Sequence, residues 1–89
     1  MLKTEFLREF VMLAHYGSFH AAAEKLFISQ PTLSNHIKTL EQDVGFELFD
    51  RTRDNELTPA GALLLDVAQS TLMIIDATLE KCRPYTNAE

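Results

Sequence analysis

The chain has 89 residues, 46% of them hydrophobic, enough for one domain near the lower size limit of a single apolar core. Three Gly and three Pro leave little room for a low-complexity linker, and one cysteine, Cys82, excludes an internal disulfide and suits a reducing cytosol. A net charge of −5 speaks against nucleic acid as a general partner.

A first helix is expected from Thr4 to His15, because Phe6, Phe10 and Leu13 recur at i, i+4 and i+7 beside Leu7, Val11 and Ala14. Lys3, Glu5, Arg8 and Glu9 break up its start, so no signal peptide is expected. Gly17 is the stop and Ser18 the N-cap of a short second helix, "FHAAAEKL", whose alanines let a neighbouring helix approach closely. A third helix follows "FIS". Pro31 sits in its first turn, where a missing N–H costs nothing. Leu33, Ile37, Leu40 and Val44 mark its buried face and Gly45 its end. "FELFDR", 46–51, alternates as a short strand, "TRDN" is turn material, and "ELT" returns as the second strand of a hairpin. Thr58-Pro59 repeats the cap-then-proline start and opens the longest helix, 59–82. Residues 83–89, "RPYTNAE", read as a hinge or fraying tail. Apolar runs such as "LMII" at 72–75 are far too short to span a bilayer. A soluble, cytoplasmic protein with no membrane partner is therefore expected.

Two short helices and a tight turn make a helix-turn-helix, with the hairpin as its wing: a mainly α, winged helix-turn-helix fold with a long fourth helix. Residues 26–40 carry Lys38 and no acid, and they gather Gln30, Thr32, Ser34, Asn35 and His36 where a solvated helix normally carries Lys and Glu. Short side chains with both donors and acceptors at a helix start suit base edges in a DNA major groove. Gln30 and Asn35 can bond adenine bidentately. Thr32 and Ser34 can reach bases or phosphate, and the carbons of Pro31 or Thr32 can touch a thymine methyl. Arg51 and Arg53 flank the hairpin turn, where they could reach flanking backbone or a minor groove. Arg51 follows Asp50 and Glu47 and can be tied to either, which makes Arg53 the freer contact.

"GSFHAAAEKL", "SQPTLSNHIKTLE", "GFELFDR" and "LTPAG" together resemble, in order and spacing, the N-terminal winged helix-turn-helix domain of LysR-type transcriptional regulators. The resemblance runs from Phe6 to Gly61 and on into the long helix. Residue by residue it implies DNA contact at Gln30, Pro31, Thr32, Ser34, Asn35 and Lys38 and at Arg51 and Arg53 on the wing. Ser18 matches a helix start that lies against the DNA backbone, although a plain cap explains it equally well. The family often has Arg or Lys at the position of Asn35. The resemblance also implies residues 1–58 as the DNA-binding unit, 59–82 as a linker helix pairing antiparallel with a second copy, and an interrupted inverted repeat as operator. It further implies that any small-molecule effector acts through a domain this chain lacks.

The long helix supports pairing on its own account. Leu65, Ala68, Leu72, Ile75, Leu79 and Cys82 step by three and four like a coiled-coil seam, with Leu64, Val67, Thr71 and Ile74 as a second stripe. One stripe would meet the domain and the other a second copy. His15, His20 and His36 fall on different helices, without the spacing of metal ligands. No nucleophile–base pair or glycine-rich phosphate loop stands out, so no enzyme, cofactor or metal is expected. Two functions fit: sequence-specific binding of double-stranded DNA by a homodimer, or a helix-turn-helix serving protein interaction, which the acidity would favour.

Overall fold

Hydroxyl caps start three of the four helices. Ser18 Oγ accepts from the Ala21 amide at 3.0 Å, Ser29 Oγ from Thr32 at 3.1 Å and Thr58 Oγ1 from Gly61 at 2.9 Å. Each satisfies a donor that a helix start leaves unpaired, a contribution of about 1 kcal/mol. In the computed structural model, which describes residues 2–85, these caps open α2 (Phe19–Leu26), α3 (Gln30–Val44) and α4 (Pro59–Cys82), after α1 (Thr4–Tyr16). Gly17 and Gly45 end α1 and α3 at φ 75° and 87°, the left-handed conformation a side chain resists.

The core forms where α1, α2 and α3 cross. Phe10, Leu33, Ile37, Leu40 and Leu48 are its fully buried side chains, and the Phe10 and Phe49 rings meet edge to face at 5.6 Å. Ala22 and Ala23 of α2 are buried within it, so the small residues do admit close helix approach.

The wing is smaller than the alternation suggests. Its strands are β1 (Phe49–Asp50) and β2 (Glu56–Leu57), paired antiparallel as Phe49 with Leu57 and Asp50 with Glu56. Residues 46–48 lie outside the ladder, and side chains hold part of their backbone. Glu41 Oε2 accepts from the Leu48 amide at 2.8 Å and from Phe49 at 3.3 Å, while the Thr58 hydroxyl donates to the Glu47 carbonyl at 2.6 Å. The turn between the strands is a 3₁₀ turn at Arg51–Arg53, capped by Asp50, followed by Asp54 and Asn55 at φ 59°.

α4 corrects two expectations. By length and composition it could cross a bilayer, which "LMII" does not reveal because Asp66, Gln69, Ser70, Thr71 and Asp76 break its apolar residues into short runs. Part of that apolar surface lies on the domain instead. Ala68 and Leu72 are only 1% and 6% exposed and Leu65 packs against the core, so three residues expected at a pairing seam face their own domain. Of the second stripe only Leu64 packs against the core; Val67, Thr71 and Ile74 are open, Val67 61% and Ile74 66% exposed, with Leu63, outside both stripes, on the same side. Of the expected seam, Ile75 and Leu79 stay exposed, at 37% and 59%. Residues Arg83–Tyr85 form a further 3₁₀ turn rather than a frayed tail, and 86–89 lie outside the described residues.

Candidate nucleic-acid interface

The first two turns of α3 stand at the surface because Leu33 and Ile37 hold the opposite side of the helix in the core. Gln30, Pro31, Asn35 and Lys38 are exposed, with Thr32 and Ser34 half-buried. Local bonds already occupy some of these groups. Ser29 Oγ donates to Thr32 Oγ1 at 2.8 Å, which ties the Thr32 hydroxyl to the cap. Gln30 Nε2 lies 3.1 Å from Nδ1 of His20 on α2. Ser18 caps α2 through its hydroxyl. Pro31, Ser34, Gln30 and Phe19 line one shallow depression, so the entrance of α3 and the start of α2 share a surface.

His36 does not belong to that surface. A helix turns about 100° per residue, and this step swings His36 toward α1. Its Nδ1 lies 2.7 Å from Glu9 Oε1, and its ring stacks on Phe6 with centroids 4.3 Å apart. It braces the reading helix from behind. Sequence adjacency grouped it with Asn35, which points outward.

On the wing, Arg51 is tied, but to neither Asp50 nor Glu47. Its Nη2 lies 3.6 Å from Oε1 of Glu41 on α3. Asp50 accepts instead from the Thr52 hydroxyl and amide, and these bonds, with Arg53 nearby, hold its carboxyl below the usual range. Arg53 is exposed and in no ion pair among the described residues. Glu41 was missed by sequence reasoning. One of its oxygens holds the entry to the wing and the other faces Arg51, so one carboxylate fixes the wing against α3. An acid just after the apolar Leu40 was its only sequence signal.

The arrangement is an exposed helix entrance with no acid of its own and, held beside it, a wing loop that carries Arg51 and Arg53 among Asp50, Asp54 and Glu56. Residues 4–62 match the family model described as bacterial regulatory helix-turn-helix protein, lysR family. The chain belongs to the lysR family. This lysR-family chain is 47% identical over 83 residues to the HTH-type transcriptional regulator BudR of Klebsiella aerogenes, covering 92% of the chain and 58% of BudR. It is similar to the structure of Vibrio fischeri DarR in complex with DNA, with a TM-score of 0.90 and 32% identity, over 100% of this chain and 31% of that one. The BenM_DBD/catB site 1 DNA complex matches at a TM-score of 0.88 and 31% identity, over 99% of this chain and 100% of that one. The chain thus spans well under two thirds of the length of BudR or DarR. The relatives are regulators and not enzymes, and the lysR-family domain is a helix-turn-helix module of that kind.

Proposed function

We propose that this chain is the DNA-reading part of a transcriptional regulator: residues 1–58 bind one half-site and 59–82 pair two copies. The helix-turn-helix match over residues 4–62, falling on an α3 entrance that is exposed and acid-free, carries this reading. On it, Gln30, Pro31, Ser34, Asn35 and Lys38 face the major groove. Arg53 reaches flanking phosphate or a minor groove, and Arg51, bound to Glu41, orients the wing. Thr32 and Ser18, whose hydroxyl oxygens accept at the helix starts, would donate their hydroxyl protons to phosphate oxygens. His36 supports α3 without touching DNA.

The homodimer forms through α4, on an operator made of two inverted half-sites separated by a gap. The exposed Leu63, Val67 and Ile74 stripe, continued by Ile75 and Leu79, is the pairing surface. The small-molecule effector acts through a domain outside these 89 residues, and the protein works in the cytoplasm, where its DNA is. The relatives are described as transcriptional regulators, which favours DNA over a protein-interaction role. An anisotropy titration against the intergenic DNA beside its own gene is the test. Tight binding that weakens steeply with salt supports the proposal; equal, weak binding to that DNA and to random DNA overturns it.

A further inference from the structure

The Gln30 side chain is held by an imidazole, that of His20, and an imidazole can reverse the bond. The amide nitrogen Nε2 can only donate, so at 3.1 Å the Nδ1 of His20 accepts. With Nε2 turned to the ring, the amide presents Oε1 on the side away from His20. The other imidazole nitrogen then carries the proton and points toward Glu24 Oε2, 4.0 Å away on the next turn of α2. A protonated imidazole has no acceptor. Nδ1–H would donate, so the amide must turn over about its last torsion, bonding through Oε1 and facing Nε2 outward.

We propose that His20 is a positioning residue for DNA recognition: it decides which edge of the Gln30 amide meets the base, and taking up a proton reverses that edge. The inference rests on α3 being the reading helix. An outward Oε1 is an acceptor and selects adenine N6 or cytosine N4 on the contacted strand. An outward Nε2 is a donor and selects guanine O6 or N7, or thymine O4. An imidazole can carry one proton or two, and these are the two states of the bond. Three carboxylates lie around the ring. Glu24 faces it from its own helix, and Asp54 and Glu56 of the wing line the same hollow as His20 and Gln30. α1 contributes only Leu13 and Ala14 to that hollow, neither of them charged. Both His20 and Gln30 are exposed, so the amide is free to turn without disturbing the core.

Selection from a duplex library randomised over two half-sites tests this, with the 89-residue chain and two variants at about pH 5.5 and about pH 8. His20→Asp is an obligate acceptor and His20→Lys an obligate donor. Both sit on an exposed helix start where either side chain fits. At the higher pH, wild type and His20→Asp should share a preference for adenine or cytosine at one position in each half-site. At the lower pH, wild type should move toward guanine or thymine by on the order of tenfold while His20→Asp does not. His20→Lys should show the shifted preference at both. The added charges change affinity for every sequence alike, so relative enrichment is the readout. One common preference for all three proteins at both pH values would overturn the assignment, and so would a uniform change across the library. A wild-type chain that enriches no sequence at all would defeat the DNA-reading function itself, and this inference with it.

Discussion

Asn35 stands outward one turn into α3, and no other side chain engages its amide among the described residues. On the proposed function Asn35 meets a base edge, and an amide there is worth most against one base, so Asn35→Ala should cost about 1–3 kcal/mol on the cognate site. Binding to random DNA should hardly change in the same anisotropy assay; equal loss from both would mean that Asn35 reads no base. The sequence made Asn35 legible and misplaced its neighbour His36, because residue type is visible in a string and helical phase within a short polar run is not. Leu33, Ile37 and Leu40 fix that phase, and they place His36 on the flank toward α1. The glycine of "LTPAG" shows another limit. Gly61 packs so closely on Leu48 that an added Cβ would overlap the Leu48 carbonyl oxygen. That oxygen also accepts from the Thr58 amide at 3.0 Å, so it cannot withdraw freely. Gly61→Ala should therefore destabilise the domain by about 1–3 kcal/mol, read as a lower midpoint in urea unfolding with an unchanged slope.

Elements were legible in proportion to their periodicity. The four helices carry stripes and caps and fall within a residue or two of expectation. The wing does not, since a two-residue strand has no period, and Leu48 and Phe49 are buried in succession where alternation would expose one. What sets the wing is a pair of side chains from outside it, Glu41 and Thr58. Arg51 is held by Glu41 and Arg53 is not, so Arg53→Ala should weaken binding to every sequence. It should also flatten the salt dependence by roughly one charge, and an unchanged slope would remove Arg53 from the interface. The joint between α1 and α4 is a second side-chain device. Arg8 donates to both oxygens of Asp76, at 3.0 and 2.7 Å, and these bonds hold the Asp76 carboxyl below its usual range. A carboxyl depressed in the folded state contributes stability above its unfolded pKa and loses it as pH falls through the folded value. Asp76→Asn should thus lower the melting temperature slightly at neutral pH, since the pair is exposed. The gap to wild type should close below the ordinary carboxylate range; a gap that is constant with pH would show that the pair contributes nothing ionic.

The molecule as a whole is long for its mass, with extents of 51 × 26 × 22 Å, because α4 outruns the body it starts from. Twenty-four residues make a helix of roughly 36 Å. Ala68 and Leu72 attach it to the domain, and its last lateral tie is the Arg8–Asp76 pair. Two apolar stripes were legible in the sequence, but both step by three and four, so spacing alone could not say which one meets the domain. The packing of α1 decides it: Val11, Met12 and Leu72 line the groove where the two helices meet, which leaves Leu63, Val67 and Ile74 on the opposite side. An exposed stripe of that kind on a helix this long suits a second copy related by a two-fold axis, which repeats any substitution on both sides. Ile74→Glu would therefore bring two carboxylates into a desolvated contact, and the chain should sediment as a monomer where wild type sediments as a dimer. Because Ile74 makes no contribution to its own core, the melting temperature of the isolated domain should be nearly kept. Leu72→Glu should do the reverse, unfolding the α1–α4 joint before it affects pairing. Losing the second half-site should weaken operator binding by about a hundredfold or more, since the two heads no longer bind as one. Analytical ultracentrifugation of both variants beside wild type separates the stripes. A wild-type monomer at tens of micromolar would sink the pairing, and a dimeric Ile74→Glu would move it to another face.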